Sequence, residues 1–313
     1  MRSREMIKVD KVVKKYASLT AVNNVSFTIG KGNILGLLGQ NGAGKTSLLR
    51  LLTGYHYPQQ GAVYIDGISL RDDPVRAKSL IGYLPELPPL YPEFSVYDYL
   101  SFIARSHGLS DRKKAITRVL DICSLDTVTF RTIDSLSKGY RQRLGLAQAI
   151  IHDPDIVILD EPINGLDPQQ IIEIRSIISE LGRTKTVILS SHIMQEIEAI
   201  CKQIIILHEG SVVAEGTVEE VSKKMRQSYT YYTVIKGRFT KAALKELEHI
   251  PSVLSAEEQG KGKGGTLVQI ISQKDIAEKI FDWTISQGYK ILQLSPKHVS
   301  LEEVFTTLTQ EKL

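Results

Sequence analysis

The chain has 313 residues, enough for one large domain and a small one. Lysine and arginine number 39 against 35 aspartates and glutamates, and this net charge of +4 is too slight to argue for nucleic acid, whose signature is clustered basic patches. With 42% hydrophobic and 24% charged residues, wholesale disorder is excluded.

In chain order, the opening stretch MRSREMIKVDKVVKK lacks the apolar core of a secretory signal. The longest all-aliphatic runs, such as Ile156 to Leu159 and Ile204 to Leu207, are four residues long. A membrane-spanning helix needs roughly 18, so a soluble, cytosolic chain is expected. Ile34 to Leu38 predicts a short buried strand that ends in a glycine-rich turn, Gly39 to Gly44. A helix follows, with Leu48, Leu49, Leu51 and Leu52 at helical spacing and Gly54 as its stop. PELPPLYPEF at 85–94 carries four prolines and reads as a stiff connector. Residues 95 to about 151 read as an inserted, nearly all-helical subdomain. A capping box at Ser95 and Asp98 opens its first helix, and Ser110–Asp111 begins its second. Ile156–Leu159 and Thr186–Leu189 are apolar without polar alternation, which suits a parallel sheet covered on both faces. Between them, Asp167 followed by Pro168 predicts a helix start, with Ile171, Ile174, Ile178 and Leu181 on one face. Residues 1 to about 225 are thus expected to form an α/β domain around a parallel sheet.

A second domain is expected from about Ser228 to the C-terminus. Its pattern is strand (Tyr231–Ile235), helix (Lys241–Ile250), strand (Val253–Glu257), strand (Thr266–Ile271), helix (Asp275–Gln287) and strand (Lys290–Leu294), with a last helix at Leu301–Leu308. This βαββαβ order matches the split βαβ, ferredoxin-like pattern. Ala243, Leu244, Leu247 and Ile250 on one helix, and Ile276, Ile280 and Trp283 on the other, read as core. Gly260 to Gly265 is glycine-rich and basic, but no helix follows it, so it reads as a flexible hairpin turn. Two cysteines are too few for a disulfide framework. Cys123 shares an apolar stripe with Ile116, Val119 and Leu120, and Cys201 with Ile193, Ile197 and Ile200; both are expected to be buried, reduced thiols.

Three motifs carry chemistry. Gly39-Gln40-Asn41-Gly42-Ala43-Gly44-Lys45-Thr46, continued by Ser47, has the G-x4-G-K-[ST] spacing and lies between a predicted strand and a predicted helix. Glycines let consecutive backbone N–H groups turn inward around a phosphate, and the helix N-terminus adds its positive end. Lys45 then reaches the β- and γ-phosphates, and the Thr46 hydroxyl ligates Mg²⁺. The second motif is the apolar strand Ile156 to Leu159 ending in Asp160 and Glu161. A strand end of this kind places Asp160 at the sheet edge where α/β folds bind ligands. Asp160 can complete the Mg²⁺ shell, and Glu161 can orient or deprotonate the attacking water.

The third motif, Leu136-Ser137-Lys138-Gly139-Tyr140-Arg141-Gln142-Arg143, opens a helix. Here the sequence resembles the ATP-binding cassette (ABC) ATPases, whose signature has the form LSGGQ; Ser137 and Gly139 match it, while Lys138 and Tyr140 depart from it. The resemblance implies that Ser137 and Gly139 bind the γ-phosphate of ATP held by a second subunit, so that two chains sandwich two nucleotides. It implies further that Asn164-Gly165-Leu166-Asp167 is the loop crossing the dimer interface, with Asp167 near the nucleotide. By the same resemblance, His192 after Ser190-Ser191 contacts the γ-phosphate and Tyr16 stacks on adenine. Where the family usually places glutamine this chain has Glu86, expected to keep the metal-sensing role with altered pH or Mg²⁺ dependence. The resemblance runs from residue 5 to about 225, ending at Val213-Ala-Glu-Gly-Thr217.

The wording LSKGYRQR and the closing Leu301-Glu-Glu-Val-Phe305 resemble export-type transporter ATPases whose permeases are separate chains. The expected function is therefore an ATP-hydrolysing subunit, dimeric and peripheral on the inner face of the cytoplasmic membrane, driving a separate permease and binding no nucleic acid. A soluble cassette ATPase acting on ribosomes or DNA is the alternative, but such relatives usually carry two cassettes, a long coiled coil or zinc modules. A guanine-reading Asn-Lys-x-Asp motif does not occur. For the C-terminal domain, a regulatory or dimer-contact role is expected by analogy.

Overall fold

A computed structural model describes residues 4–224, 229–236 and 240–297, and divides the chain into two compact units, Met1–Glu219 and Glu220–Leu313. The division falls a few residues before the expected boundary.

The first unit opens with two long strands, β1 (Glu5–Tyr16) and β2 (Leu19–Gly30), before β3 (Ile34–Leu38) and helix α1 (Lys45–Leu52). Next come β4 (Gln60–Ile65), β5 (Ile68–Ser69), α2 (Pro74–Ser79) and β6 (Ile81–Leu84). Helices α3 (Val96–Ser106), α4 (Arg112–Ile122) and α5 (Lys138–Ile150) follow, with short 3-10 turns at Asp126–Val128 and Ile133–Ser135. Then β7 (Ile156–Leu159), α6 (Pro168–Leu181), β8 (Thr186–Ser191), α7 (Met194–Ile200), β9 (Gln203–His208) and β10 (Ser211–Thr217) complete the unit, and α8 (Val218–Lys224) carries the chain across the division.

Two sheets share one core. The larger has the order β10-β9-β3-β8-β7-β6; β9, β3, β8, β7 and β6 are parallel and β10 is an antiparallel edge. The smaller sheet, β2-β1-β4-β5, is wholly antiparallel and adds to the expected parallel-sheet core a second sheet that the sequence reading did not include. Its strands are buried on one face only, as Val25, Phe27 and Ile29 alternate with exposed Ser26 and Thr28. Leu48, Leu49, Leu51 and Leu52 of α1 pack in one cluster with Ile7 and Ile29 of the small sheet and Leu37, Ile158 and Ile188 of the large one. Its four leucines tie α1 into both sheets, which fixes its first turn where the phosphate loop ends.

The helical insertion is set by its caps. The Ser95 hydroxyl accepts from the Asp98 N–H at 3.1 Å, and Asp111 accepts from the Lys114 N–H at 3.0 Å. Cys123 and Cys201 are buried, and burial pushes both thiols up to about 12. Ile193, expected on the same stripe as Cys201, is instead 38% exposed, because it precedes α7 rather than lying within it.

The second unit contains β11 (Tyr229–Lys236), α9 (Lys241–Glu248), β12 (Val253–Gly262), β13 (Gly265–Ser272), α10 (Ala277–Ser286) and β14 (Ile291–Lys297). The sheet order is β12-β13-β11-β14, antiparallel throughout, which is the split βαβ arrangement. Ala243, Leu247 and Ile280 from the helices, with Ile276 just ahead of α10, join Tyr231, Val268 and Ile270 from the sheet in its core. The glycine-rich segment is mostly strand rather than flexible turn: β12 and β13 pair up to Gly262 and Gly265, leaving a two-residue turn at Lys263–Gly264. Gly264 has φ +87°, and a side chain at Gly265 would collide with the Ile235 carbonyl. The helix expected at Leu301–Leu308 lies outside the described residues.

Candidate active site

Parallel register brings the loops together. Leu38 pairs with Ser191, and Leu159 with both Leu84 and Leu189, so Gly39, Asp160, Glu86 and His192 all leave the same carboxyl edge of the large sheet. The turn after β3 needs its glycines: Gly42 and Gly44 have φ +85° and +102°, and a side chain at Gly44 would strike the Ala21 carbonyl. No side chain caps α1 and no acid occupies its first turn, so its amino end is available to an anion.

A cleft of about 510 Å³ opens over this end. Gln40, Asn41, Gly42, Gly44, Lys45, Thr46 and Ser47 line it along the phosphate loop. Tyr16, Leu19 and Ala21 contribute from the small-sheet side, and Glu86, Glu161, Asn164 and His192 from the sheet edge. Gly39 and Ala43 shape the loop without lining the cleft.

Lys45 is buried and fully engaged. Its ammonium donates to the carbonyls of Gly39 at 2.8 Å and Gln40 at 3.3 Å and lies 3.2 Å from Glu161 Oε1. The other Glu161 oxygen is 2.8 Å from His192 Nδ1. Glu161 itself sits at φ +48°, a left-handed conformation that a non-glycine residue adopts at a cost. That backbone is retained by a hydrogen bond from its N–H to Ser190 Oγ at 2.9 Å. Ser190 in turn donates to Asp160 Oδ1 at 2.7 Å, and Thr46 Oγ1 lies 3.3 Å from the same oxygen. Burial, with smaller contributions from Glu161 and Glu86, pushes the Asp160 carboxyl above its usual range, against the pull of those two hydroxyls. Glu86 Oε1 accepts from Asn164 Nδ2 at 3.3 Å.

At the far end Tyr16 is 36% exposed, with the His56 ring edge-on at 5.8 Å and the Lys14 ammonium 5.4 Å from its centroid. Ser137, Gly139 and Asp167 do not line this cleft. Ser137 caps α5 and Asp167 caps α6, and Gly139 has no room for a side chain beside Gln170 of α6. The signature segment and the segment ending at Asp167 are thus neighbours of each other. Sequence reasoning missed the tie between Ser190 and Asp160 and the contact between Asn164 and Glu86. Two serines ending a strand directly after the apolar run Val187 to Leu189 were the available signal for the first.

Phosphate loop, paired acids and sheet order together define a P-loop ATPase of the ATP-binding cassette type. Residues 22–164 match the ABC transporter family. The bacitracin transport ATP-binding protein BcrA of Enterococcus faecalis is 35% identical over 78% of this chain and 80% of its own length. BcrA of Bacillus licheniformis is 31% identical over 97% of each. Among solved structures, the dimeric post-hydrolysis state of the ATP-binding cassette MJ0796, bound to ADP and Pi, superposes with a TM-score of 0.62 at 25% identity. That match covers 68% of this chain and 98% of the other. The chain belongs to the ABC transporter family, as an ATP-binding, ATP-hydrolysing subunit.

Proposed function

We propose that two such subunits close around two ATP molecules and so drive a conformational change in a separate membrane permease, to which the chain binds on the inner face of the cytoplasmic membrane. The observation that carries this reading is the division of the site. The phosphate loop, Glu86, Glu161 and His192 line one cleft, with Asp160 behind it on Thr46 and Ser190, while Ser137, Gly139 and Asp167 do not line it. They are free to cover the nucleotide of a facing subunit.

Within one cleft the roles follow from position. Backbone amides of Gly39 to Ser47 and the ammonium of Lys45 take the phosphates, and Tyr16 stacks on the base. An incoming γ-phosphate competes with Glu161 for Lys45; once displaced, Glu161 remains tethered to His192, positioned to accept a proton from water. His192 is then placed to contact the γ-phosphate. The oxygens of Thr46, Asp160 and Glu86 would hold Mg²⁺, and a buried carboxylate pushed toward protonation fits a site completed by a cation. Bound there, Mg²⁺ would neutralise charge on the transferred phosphoryl group. Residues 1–225 are the cassette, and 228–313 an accessory domain that regulates it or contacts its partner. The two relatives named as bacitracin transport ATP-binding proteins support a role in transport.

Mixing chains tests the shared site. Ser137→Arg and Lys45→Ala should each be nearly inactive alone, and an equimolar mixture should regain at most one working site per dimer. Full ATPase activity of dilute Ser137→Arg protein by itself would refute it.

A further inference from the structure

Besides Asp160 and Glu161, one other carboxylate is buried among the described residues: Glu196, in the first turn of α7 and 4% exposed. Taking a carboxylate out of water is costly unless it is hydrogen-bonded, and an apolar residue here would avoid that cost. Burial raises the Glu196 pKa; the Ser191 hydrogen bond and the field of Arg175 on α6 and of His192 lower it, while Glu161 adds to the rise. Its one side-chain hydrogen bond among the described residues is from Ser191 Oγ, 2.9 Å from Glu196 Oε2.

That bond repeats a device already present next door. Ser190 Oγ donates to buried Asp160 and accepts the N–H of Glu161. Ser191 Oγ donates to buried Glu196 and accepts the N–H of Ile193 at 3.0 Å. The Glu196 N–H also donates to the Ile193 carbonyl at 3.2 Å. One serine thus fixes the backbone of Glu161, and the other fixes the turn on both sides of His192. An ionised carboxylate accepts and cannot donate, so it directs the Ser191 proton one way and leaves the lone pair for Ile193.

We propose that Glu196 is a positioning residue for ATP hydrolysis, which through the Ser191 hydroxyl locks the turn carrying His192 and so sets how the imidazole meets Glu161. This rests on the reading of His192 and Glu161 as the hydrolytic pair. Small displacements of such groups cost rate without costing substrate affinity.

The test measures kcat, ATP affinity and melting temperature for Glu196→Ala, Glu196→Gln, Ser191→Ala, His192→Ala and the double variant His192→Ala/Glu196→Ala. Glu196→Ala and Ser191→Ala should each lower kcat about tenfold with ATP affinity held within about twofold. Glu196→Gln keeps an acceptor for Ser191 and should recover most of the rate. Adding Glu196→Ala to His192→Ala should lower kcat no further. A purely structural role for Glu196 would instead lower kcat in both backgrounds, and that result overturns the proposal. So does full activity of either Glu196→Ala or Ser191→Ala alongside a slow His192→Ala. Undiminished kcat in His192→Ala itself would overturn the reading of the hydrolytic pair, and this proposal with it.

Discussion

In the unit Met1–Glu219 the buried polar side chains include Lys45, Arg143, Asp160, Glu161 and Glu196. In the second unit, among the described residues, they are the hydroxyls of Thr233, Thr266, Ser272 and Thr284. Hydroxyls can be satisfied inside a fold by a nearby carbonyl, as Thr284 is by Ile280. Buried charges need stronger partners: Lys45, Asp160 and Glu161 gather at the phosphate loop, while Arg143 is met by the Ser124 carbonyl and Glu173. The contrast separates a unit built around chemistry from one built around packing.

Substitutions can break that contrast. The largest effect is expected at Glu161. Glu161→Gln should lower kcat by about a hundredfold or more while ATP still binds, accumulating a nucleotide-held dimer visible by size-exclusion chromatography. A variant that stays monomeric in saturating Mg-ATP would count against the shared site. Lys45→Ala removes charge-assisted bonds and leaves Glu161 buried without its ammonium, so ATP affinity measured by calorimetry should fall about a hundredfold. In the second unit Ile270 is fully buried, and Ile270→Ala should destabilise that unit by about 2–5 kcal/mol in denaturant unfolding. Its ATP affinity should remain within about threefold of the parent. Glu86→Gln should change the Mg²⁺ concentration for half-maximal hydrolysis by about threefold to tenfold, since a neutral oxygen replaces a carboxylate.

The smallest effect sharpens the comparison away from the cleft. His152 is stacked on His107 with ring centroids 4.2 Å apart. Burial first, then His107, Lys185 and Arg118, lower its pKa to about 4, against the upward pull of the Ile81 carbonyl. A folded value below the ordinary 6.5 means that the unfolded chain takes up the proton first. Stability is therefore fully present above pH 6.5 and is lost as the pH falls from 6.5 toward 4. His152→Gln should flatten that acid limb by about 1 kcal/mol, allowing for partial solvent screening. An unchanged slope in urea melts across this range would show that the stacked pair carries no such linkage.

What could be read in the sequence was local. Ile34–Leu38 and Ile156–Leu159 match β3 and β7 because fully apolar runs bounded by a glycine turn or by acids have few alternatives. The helix starts at Ser95, Asp111 and Asp167 were readable because a capping side chain bonds only three residues ahead. The small antiparallel sheet escaped, since pairings such as Ile7 with Ile65 join distant segments and leave no short-range mark. For the same reason Tyr16 could be named but not its neighbour His56, and Gly44 could be placed in the loop but not against Ala21. In the second unit the order of elements was legible. The length of the β12–β13 hairpin was not, because glycine's low strand propensity hid how far pairing continues.

The contact between Lys45 and Glu161 has a consequence for how nucleotide comes and goes. If, as proposed, Lys45 takes the phosphates, it exchanges two carbonyls and the Glu161 carboxylate for them, so association would swap one anion for another. The gain in affinity would then be the difference between two sets of partners, smaller than the phosphate contacts alone.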